Sequence, residues 1–142
     1  MIRDFTLSEF LESRTAEERG IDNTPSFEVV AHLQELTECI LQPLRTAWGS
    51  GIRINSGYRS PALNKAVGGS RTSVHQLGYA ADIFPVNGKF GEFTSFAIGF
   101  IVNNDIEFDQ ILIESSGAER WLHIGLYNNA GTQRRQILNI AI

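Results

Sequence analysis

Residues 73–82 read Ser-Val-His-Gln-Leu-Gly-Tyr-Ala-Ala-Asp, and a second short run, Trp-Leu-His, occupies residues 121–123. A catalytic first-row divalent metal needs two or three nitrogen or oxygen ligands and one open position for water. His75, Asp82 and His123 supply such a set, and two imidazoles with one carboxylate suit zinc. The alternative is that His75 caps a loop, Asp82 ends a strand and His123 is a hydrogen-bonded core histidine.

The residues around these three predict how they converge. The run Ala80 to Phe84 is typical of a short buried strand that carries Asp82 inward, and Gly78 leaves room for close backbone approach just before it. Trp121 to Leu126 is an apolar run of strand length. We therefore expect His123 to lie on a strand beside the one that carries Asp82.

A set of motifs in the same order gives the chain a family resemblance. The pattern Ser-x-His-x-x-Gly-x-Ala-x-Asp is preceded by Ser-Gly-Tyr-Arg-Ser at residues 56–60 and followed by Trp-x-His. It resembles the M15 zinc peptidases, which cut peptide bonds in bacterial peptidoglycan. It looks closest to a compact branch common in phages and prophages, described as D-alanyl-D-alanine carboxypeptidase-like. The resemblance runs from about Phe5 to Leu126.

This resemblance implies roles for particular residues. The zinc ligands would be His75, Asp82 and His123, holding one Zn2+ per chain, and Arg59 would face the substrate carbonyl or carboxylate. The substrate-binding candidates are Ser73, Tyr58, Gln110 and Trp121. Trp121 is open to a second interpretation, as a core residue.

The acid/base residue departs from the pattern of several relatives. Peptide hydrolysis at zinc needs a carboxylate that takes a proton from water and passes it to the departing amine. In those relatives the carboxylate stands three residues before the last histidine ligand, where this chain has Arg120. The phage-type branch resembles Phe-Asp-Gln-x-Ile-x-Glu instead, which implies Glu114 at the end of a strand that starts near Phe108. Glu119, in the following turn, is the second candidate.

Composition sets limits on partners and compartment. The chain has 142 residues, which suits one domain over residues 1–142, and a net charge of −4 without a Lys/Arg block, which argues against nucleic acid. Its one cysteine, Cys39, cannot form an internal disulfide, and we expect it to be buried on the apolar side of a helix. The start of the chain does not resemble a signal peptide, and no apolar window reaches transmembrane length. We expect a monomer that has no membrane partner and is cytoplasmic when made.

Periodicity predicts an α+β fold. Two capping boxes, Thr6-x-x-Glu9 and Thr15-x-x-Glu18, open short helices, and a long helix follows Ser26. Its core stripe is predicted as Val30, Leu33, Ile40, Leu41 and Leu44. Strands are expected at Ile52–Asn55, Ala80–Phe84, Phe108–Ile113, Trp121–Leu126 and Gln136–Ile140, with helices from Ser60 and over Glu92–Val102. The expected architecture is a single compact domain with a central antiparallel sheet flanked by helices, and the family resemblance implies the M15 or hedgehog-like zinc peptidase fold.

Two classes of function follow. The first is a zinc peptidase that acts on peptidoglycan stem peptides as a D,D-carboxypeptidase or endopeptidase, a cell-wall lytic enzyme of a phage or prophage. It would reach the wall after membrane lysis, through a holin, or as part of a virion. The second is a non-catalytic wall-binding or virion structural module that keeps the peptidase fold.

Overall fold

A computed structural model describes residues 4–142 as five strands and six α-helices around one core. The sheet has the order β1-β2-β4-β3-β5. Its strands are β1 Ile52–Ser56, β2 Ala80–Pro85, β3 Gln110–Ser116, β4 Glu119–Gly125 and β5 Gln136–Ala141. The helices are α1 Leu7–Leu11, α2 Arg14–Arg19, α3 Phe27–Leu36, α4 Gln42–Trp48, α5 Pro61–Ala66 and α6 Phe90–Asn103. A π-turn, Thr37–Leu41, joins α3 to α4, and a 3-10 turn, Val74–Leu77, precedes β2.

Helices cover one face of the sheet. Residues at alternate positions of the central strands are buried beneath α3, α4 and α6, as strand geometry requires. The core they share includes Leu33, Leu36, Leu44, Ile83, Phe93, Ala97, Ile101, Ile111, Leu122 and Ile124. The other face of the sheet carries Asp82, Glu114 and His123, and it is open enough to line a cavity.

The predicted fold class is confirmed, and one strand adds a feature. The pairs β1/β2, β2/β4 and β3/β4 are antiparallel, whereas β5 runs parallel to β3. The sheet is therefore mixed rather than wholly antiparallel, because the chain returns through residues 126–135 to the start of β3 before β5 begins. In the described part of the chain, no helix combines the length and apolar character needed to cross a membrane.

Local signals located most element starts. Ser26 and Ser60 cap α3 and α5, accepting hydrogen bonds from the backbone N–H groups of Val29 and Leu63, both at 3.2 Å. The Glu9 carboxylate accepts from the Thr6 backbone N–H, as in a capping box. The second predicted capping box, Thr15-x-x-Glu18, is wrong.

That second helix begins two residues earlier than the box predicts. Ser13 is its N-cap, and the Ser13 hydroxyl accepts from the Ala16 backbone N–H at 3.2 Å. Serine and threonine are both good N-caps, and the helix begins after Ser13 rather than after Thr15.

Two predictions for the long helix are wrong. Val29 and Leu36 are buried, whereas Val30 is only half-buried, and Cys39 is exposed rather than on the apolar side. The buried residues Val29, Leu33, Leu36, Ile40 and Leu44 recur at α-helical spacing, and Cys39 lies outside the face that they form. Ile40, Leu41 and Leu44 are buried as expected.

An ion pair holds β5 and the segment before it against β3. The Asp109 side chain is 1% exposed and accepts from Arg134 through Nε at 2.9 Å, Nη2 at 2.6 Å and the backbone N–H at 2.8 Å. Burial raises the pKa of Asp109, but the hydrogen bonds and the positive charge of Arg134 outweigh it and lower the pKa below its ordinary value. The carboxylate therefore acts as a structural clamp at the start of β3.

Removing this charge should destabilise the protein in a pH-dependent way. We expect Asp109→Asn to lower the free energy of unfolding by about 1–2 kcal/mol at pH 7, because a neutral amide accepts weaker hydrogen bonds from Arg134 than an ionised carboxylate does, while the exposed guanidinium keeps its solvation. The folded-state pKa is depressed, so the contribution is complete above the unfolded value near 3.8 and is lost as pH falls below it. Urea unfolding at pH 7 and pH 3 checks this: the gap between wild type and variant should shrink at pH 3, and a constant gap contradicts it.

Candidate metal centre

The three residues predicted as metal ligands meet on the open face of the sheet. Asp82 on β2 pairs directly with His123 on β4, and His75 comes from the 3-10 turn before β2. Asp82 Oδ1 lies 3.2 Å from His75 Nε2 and 3.0 Å from His123 Nδ1. One ligand atom from each residue falls within 4.8 Å of the others, so together they could hold a metal ion.

A backbone carbonyl orients His75. The Gly57 carbonyl lies 2.7 Å from His75 Nδ1, and a carbonyl can only accept, so Nδ1 carries a proton. Nε2 is therefore the nitrogen that remains to bind a metal. The Arg59 backbone N–H also donates to the His75 carbonyl at 3.1 Å, so the loop after β1 holds both the ring and the backbone of this residue. Such second contacts commonly fix metal-binding histidines.

Asp82 is ionised in this environment. Burial alone raises its pKa, but the charge of His75 and the hydrogen bonds from His123 and His75 lower the pKa far below its ordinary range. A carboxylate that stays ionised at any physiological pH is ready to bind a cation.

Glu114 lies beside the centre and is held by Trp121. The two residues face each other across the β3/β4 hairpin, and the Trp121 indole N–H donates to Glu114 Oε1 at 3.0 Å. The same oxygen lies 3.8 Å from His123 Nδ1. Among the described residues, Oε2 accepts no hydrogen bond, so it is the oxygen that can hold a proton.

Arg59 is the cation of the site. Its Nη2 donates to the Ser73 hydroxyl at 3.4 Å, and its buried Nε has no hydrogen-bond partner in residues 4–142. Burial lowers the pKa of the guanidinium, while the carboxylates of Asp82 and Glu114 oppose that effect. Most N–H donors of the Arg59 guanidinium therefore have no partner in the described chain, which favours hydrogen bonds to an oxygen of a bound substrate.

The other predicted site residues are divided between the site and its surroundings. Ser73 caps the 3-10 turn that carries His75, and Gln110 lies in the same cleft, where its amide donates to Gln136 at 2.8 Å. Tyr58 is 8% exposed and packs against the core, and it lines a smaller cavity together with Arg59 and Asp82. Glu119 is exposed at the start of β4, and none of its side-chain atoms reaches the centre through a hydrogen bond or ion pair in the described chain. Trp121 forms a wall of the cleft rather than part of the core.

A cleft of about 620 Å³ contains the centre. It is lined by all three candidate ligands and by Arg59, Ser73, Gln110, Glu114 and Trp121. The sequence did not indicate the Gly57 carbonyl as a positioning group, because a backbone acceptor leaves no side-chain signal.

The donor set fits zinc. Zinc lies about 2.0–2.2 Å from nitrogen and carboxylate ligands, so neighbouring ligand atoms in a tetrahedron are roughly 3.4 Å apart. The separations from Asp82 Oδ1 are close to this value. Three protein ligands leave a fourth position open, which is the pattern of catalytic rather than structural zinc sites.

A comparison with protein families agrees with this geometry. A family model described as Peptidase M15 matches residues 3–124, most of the chain. The matched part includes all three candidate ligands and ends before β5. A search of curated proteins found no match.

Loss of either histidine should remove the metal. We expect wild-type protein loaded with zinc to bind about one ion per chain and both His75→Ala and His123→Ala to bind almost none, because each leaves only two protein ligands. Elemental analysis after gel filtration measures this. His32→Ala is the control: His32 stacks on Tyr79 outside the centre and should keep full zinc. Full occupancy in either ligand variant rules out the assignment.

Gly57 should be essential to the position of His75. A Cβ at Gly57 would lie 2.6 Å from the Phe10 carbonyl oxygen, a backbone atom, so Gly57→Ala must displace the loop that orients the imidazole. We expect lower thermal stability and at least tenfold weaker zinc binding, measured by competition with a chelator. Gly99→Ala, in α6 with nothing within 4 Å of the new Cβ, should leave zinc binding unchanged. Equal zinc affinity in Gly57→Ala and wild type contradicts this role.

Proposed function

The chain belongs to the peptidase M15 family, and from that membership we propose that it is a zinc-dependent hydrolase of peptidoglycan stem peptides, acting as a D,D-carboxypeptidase or endopeptidase. We further propose that it serves a phage or prophage in cell-wall lysis. The observation that carries the proposal is the joint placement of a His, Asp, His ligand set, an oriented carboxylate and a cation in one cleft.

Each residue of the cleft has a chemical task in this proposal. His75, Asp82 and His123 would hold zinc, which supplies Lewis-acid activation of water and of the substrate carbonyl. Glu114 Oε2 would take a proton from the attacking water and return it to the departing amine nitrogen, while the Trp121 N–H holds Oε1 in place. Arg59 would stabilise negative charge as it develops on the carbonyl oxygen.

The position of Glu114 supports it over Glu119 as the acid/base group. Glu114 is within 3.8 Å of a candidate ligand and oriented by an indole, whereas Glu119 is exposed in the turn region. Arg120 occupies the place of the carboxylate found in several relatives and cannot act as a base, because a guanidinium stays protonated.

Digestion of purified muropeptides, with products identified by mass, tests the proposed activity. Cleavage by the zinc-loaded chain that stops on chelation and returns with zinc supports it. Inactivity on every muropeptide, with zinc bound, would instead favour the wall-binding or virion module, which keeps the fold and the metal without turnover.

Substitution of the two glutamates should separate their roles. We expect Glu114→Gln to keep its zinc, since it is not a ligand, and to lose about 100-fold in kcat, the usual loss on removing a general acid/base. Glu119→Gln serves as the matched control and should change kcat little. Kinetics on a stem peptide at saturating zinc measure both. An active Glu114→Gln beside an inactive Glu119→Gln would reverse the assignment.

A further inference from the structure

A second cavity adjoins the metal centre. Its volume is about 1100 Å³, beside the 620 Å³ cleft that contains the centre. Trp121 and Asp82 line both spaces, so a peptide bound across the centre can extend from one into the other. The second cavity lies towards β1 and the start of α6.

Two arginines stacked on an aromatic pair form part of its wall. The rings of Phe84 and Phe90 stack with centroids 5.5 Å apart and an interplanar angle of 12°. The Arg53 guanidinium lies 5.4 Å from the Phe84 centroid, and that of Arg120 lies 4.9 Å from the Phe90 centroid. Stacking restrains a guanidinium while leaving the N–H groups on its edge available for hydrogen bonds.

The charges of this wall are not balanced by the protein. Within residues 4–142, neither Arg53 nor Arg120 makes an ion pair with a carboxylate, and the Arg53 Nε bonds only to the neutral amide of Asn55. A third arginine on the wall, Arg14, is paired with Glu18 at 2.8 Å.

Two acidic residues also line the wall of the second cavity. They are Glu119 and Asp82, and the hydrogen bonds of Asp82 go to the two imidazoles of the metal centre. With Arg14 paired to Glu18 and Asp82 engaged at the metal centre, two arginines face one carboxylate, that of Glu119, so the cavity has a net positive charge of one in an otherwise acidic protein.

This excess has a direct chemical match. A planar guanidinium edge suits a carboxylate, which it can bind through two parallel hydrogen bonds. Arg120 also gains a function here, since it replaces the carboxylate of several relatives and has no part in proton transfer.

We propose that this second cavity binds a carboxylate of the peptide substrate, with Arg53 and Arg120 as the residues that determine this specificity. The inference rests on the proposed peptidase function. It adds that the substrate carries a negative charge near the bond that is cut. Two carboxylates could occupy the cavity, the C-terminal one or one carried by an internal residue, and they share the same recognition chemistry.

Three synthetic peptides distinguish these sources. They are L-Ala-γ-D-Glu-L-Lys-D-Ala-D-Ala, its C-terminal amide, and the form whose D-Glu carboxylate is amidated. Calorimetric titration of the zinc-loaded Glu114→Gln protein, with the peptide recovered and shown intact by mass, measures Kd without turnover. We expect one of the two amidated peptides to bind at least tenfold more weakly than the unmodified peptide. The carboxylate that is amidated in that peptide is the one that the second cavity binds.

Arginine variants test the assigned residues. In the same background, Arg53→Gln combined with Arg120→Gln should bind all three peptides with the affinity of the weaker amide and keep its zinc. Arg135→Gln is the matched control, because Arg135 also stacks on an aromatic ring, Phe108 at 5.5 Å, but lines neither cavity. It should keep the preference of the parent protein.

The outcomes separate this inference from the proposed function. Equal binding of the three peptides to protein with intact arginines overturns the inference whether or not the variants fold, and so does a preference that survives in the double variant. A wild type that cuts these peptides without any such preference leaves the peptidase proposal standing. A protein that prefers the free carboxylate but never cleaves a peptide loses the peptidase proposal and keeps the anion site.

Discussion

The pairing of β2 with β4 is the constraint on which the site depends. It sets Asp82 directly opposite His123, so two of three candidate ligands are fixed by backbone hydrogen bonds rather than by flexible loops. Side chains alternate between the two faces of a sheet, so a slip of one residue would turn one ligand into the helix-covered core. The buried neighbours Ile83 and Leu122 oppose such a slip, because it would move them to the open face. Packing of the core therefore stabilises the register that places the candidate ligands together.

Charged side chains lie on both sides of the candidate metal centre on the open face of the sheet. On one side, Glu114 and Arg59 face the ligand set within the smaller cleft. On the other side, the stacked arginines line the larger cavity. The Trp121 side chain lines both spaces and also orients the Glu114 carboxylate through its N–H. The position of this side chain couples the proposed chemistry to the proposed recognition of substrate charge.

Local and periodic signals predicted the fold class, the strands and the convergence of His75, Asp82 and His123. They failed where long-range packing or unusual geometry decided the result. Cys39 and Val30 were misplaced because the predicted apolar stripe did not follow the buried face, which Val29, Leu33 and Leu36 mark. The parallel direction of β5 follows from the return of residues 126–135 to the start of β3, and Arg134 in that segment pairs with the buried Asp109, 25 residues earlier in the chain. The arginine wall depends on stacking between Phe84 and Phe90, which belong to different elements and carry no common motif.

X-ray absorption at the zinc edge tests the central claim most directly, since it reports the ligands without reference to activity. For zinc-loaded wild type, we predict two imidazoles and low-atomic-number oxygen ligands at about 2.0–2.1 Å, and no sulfur. In His123→Ala, almost no zinc should bind, so the imidazole signal should be lost with the metal. A sulfur ligand from Cys39, or an unchanged two-imidazole spectrum in His123→Ala, would contradict it.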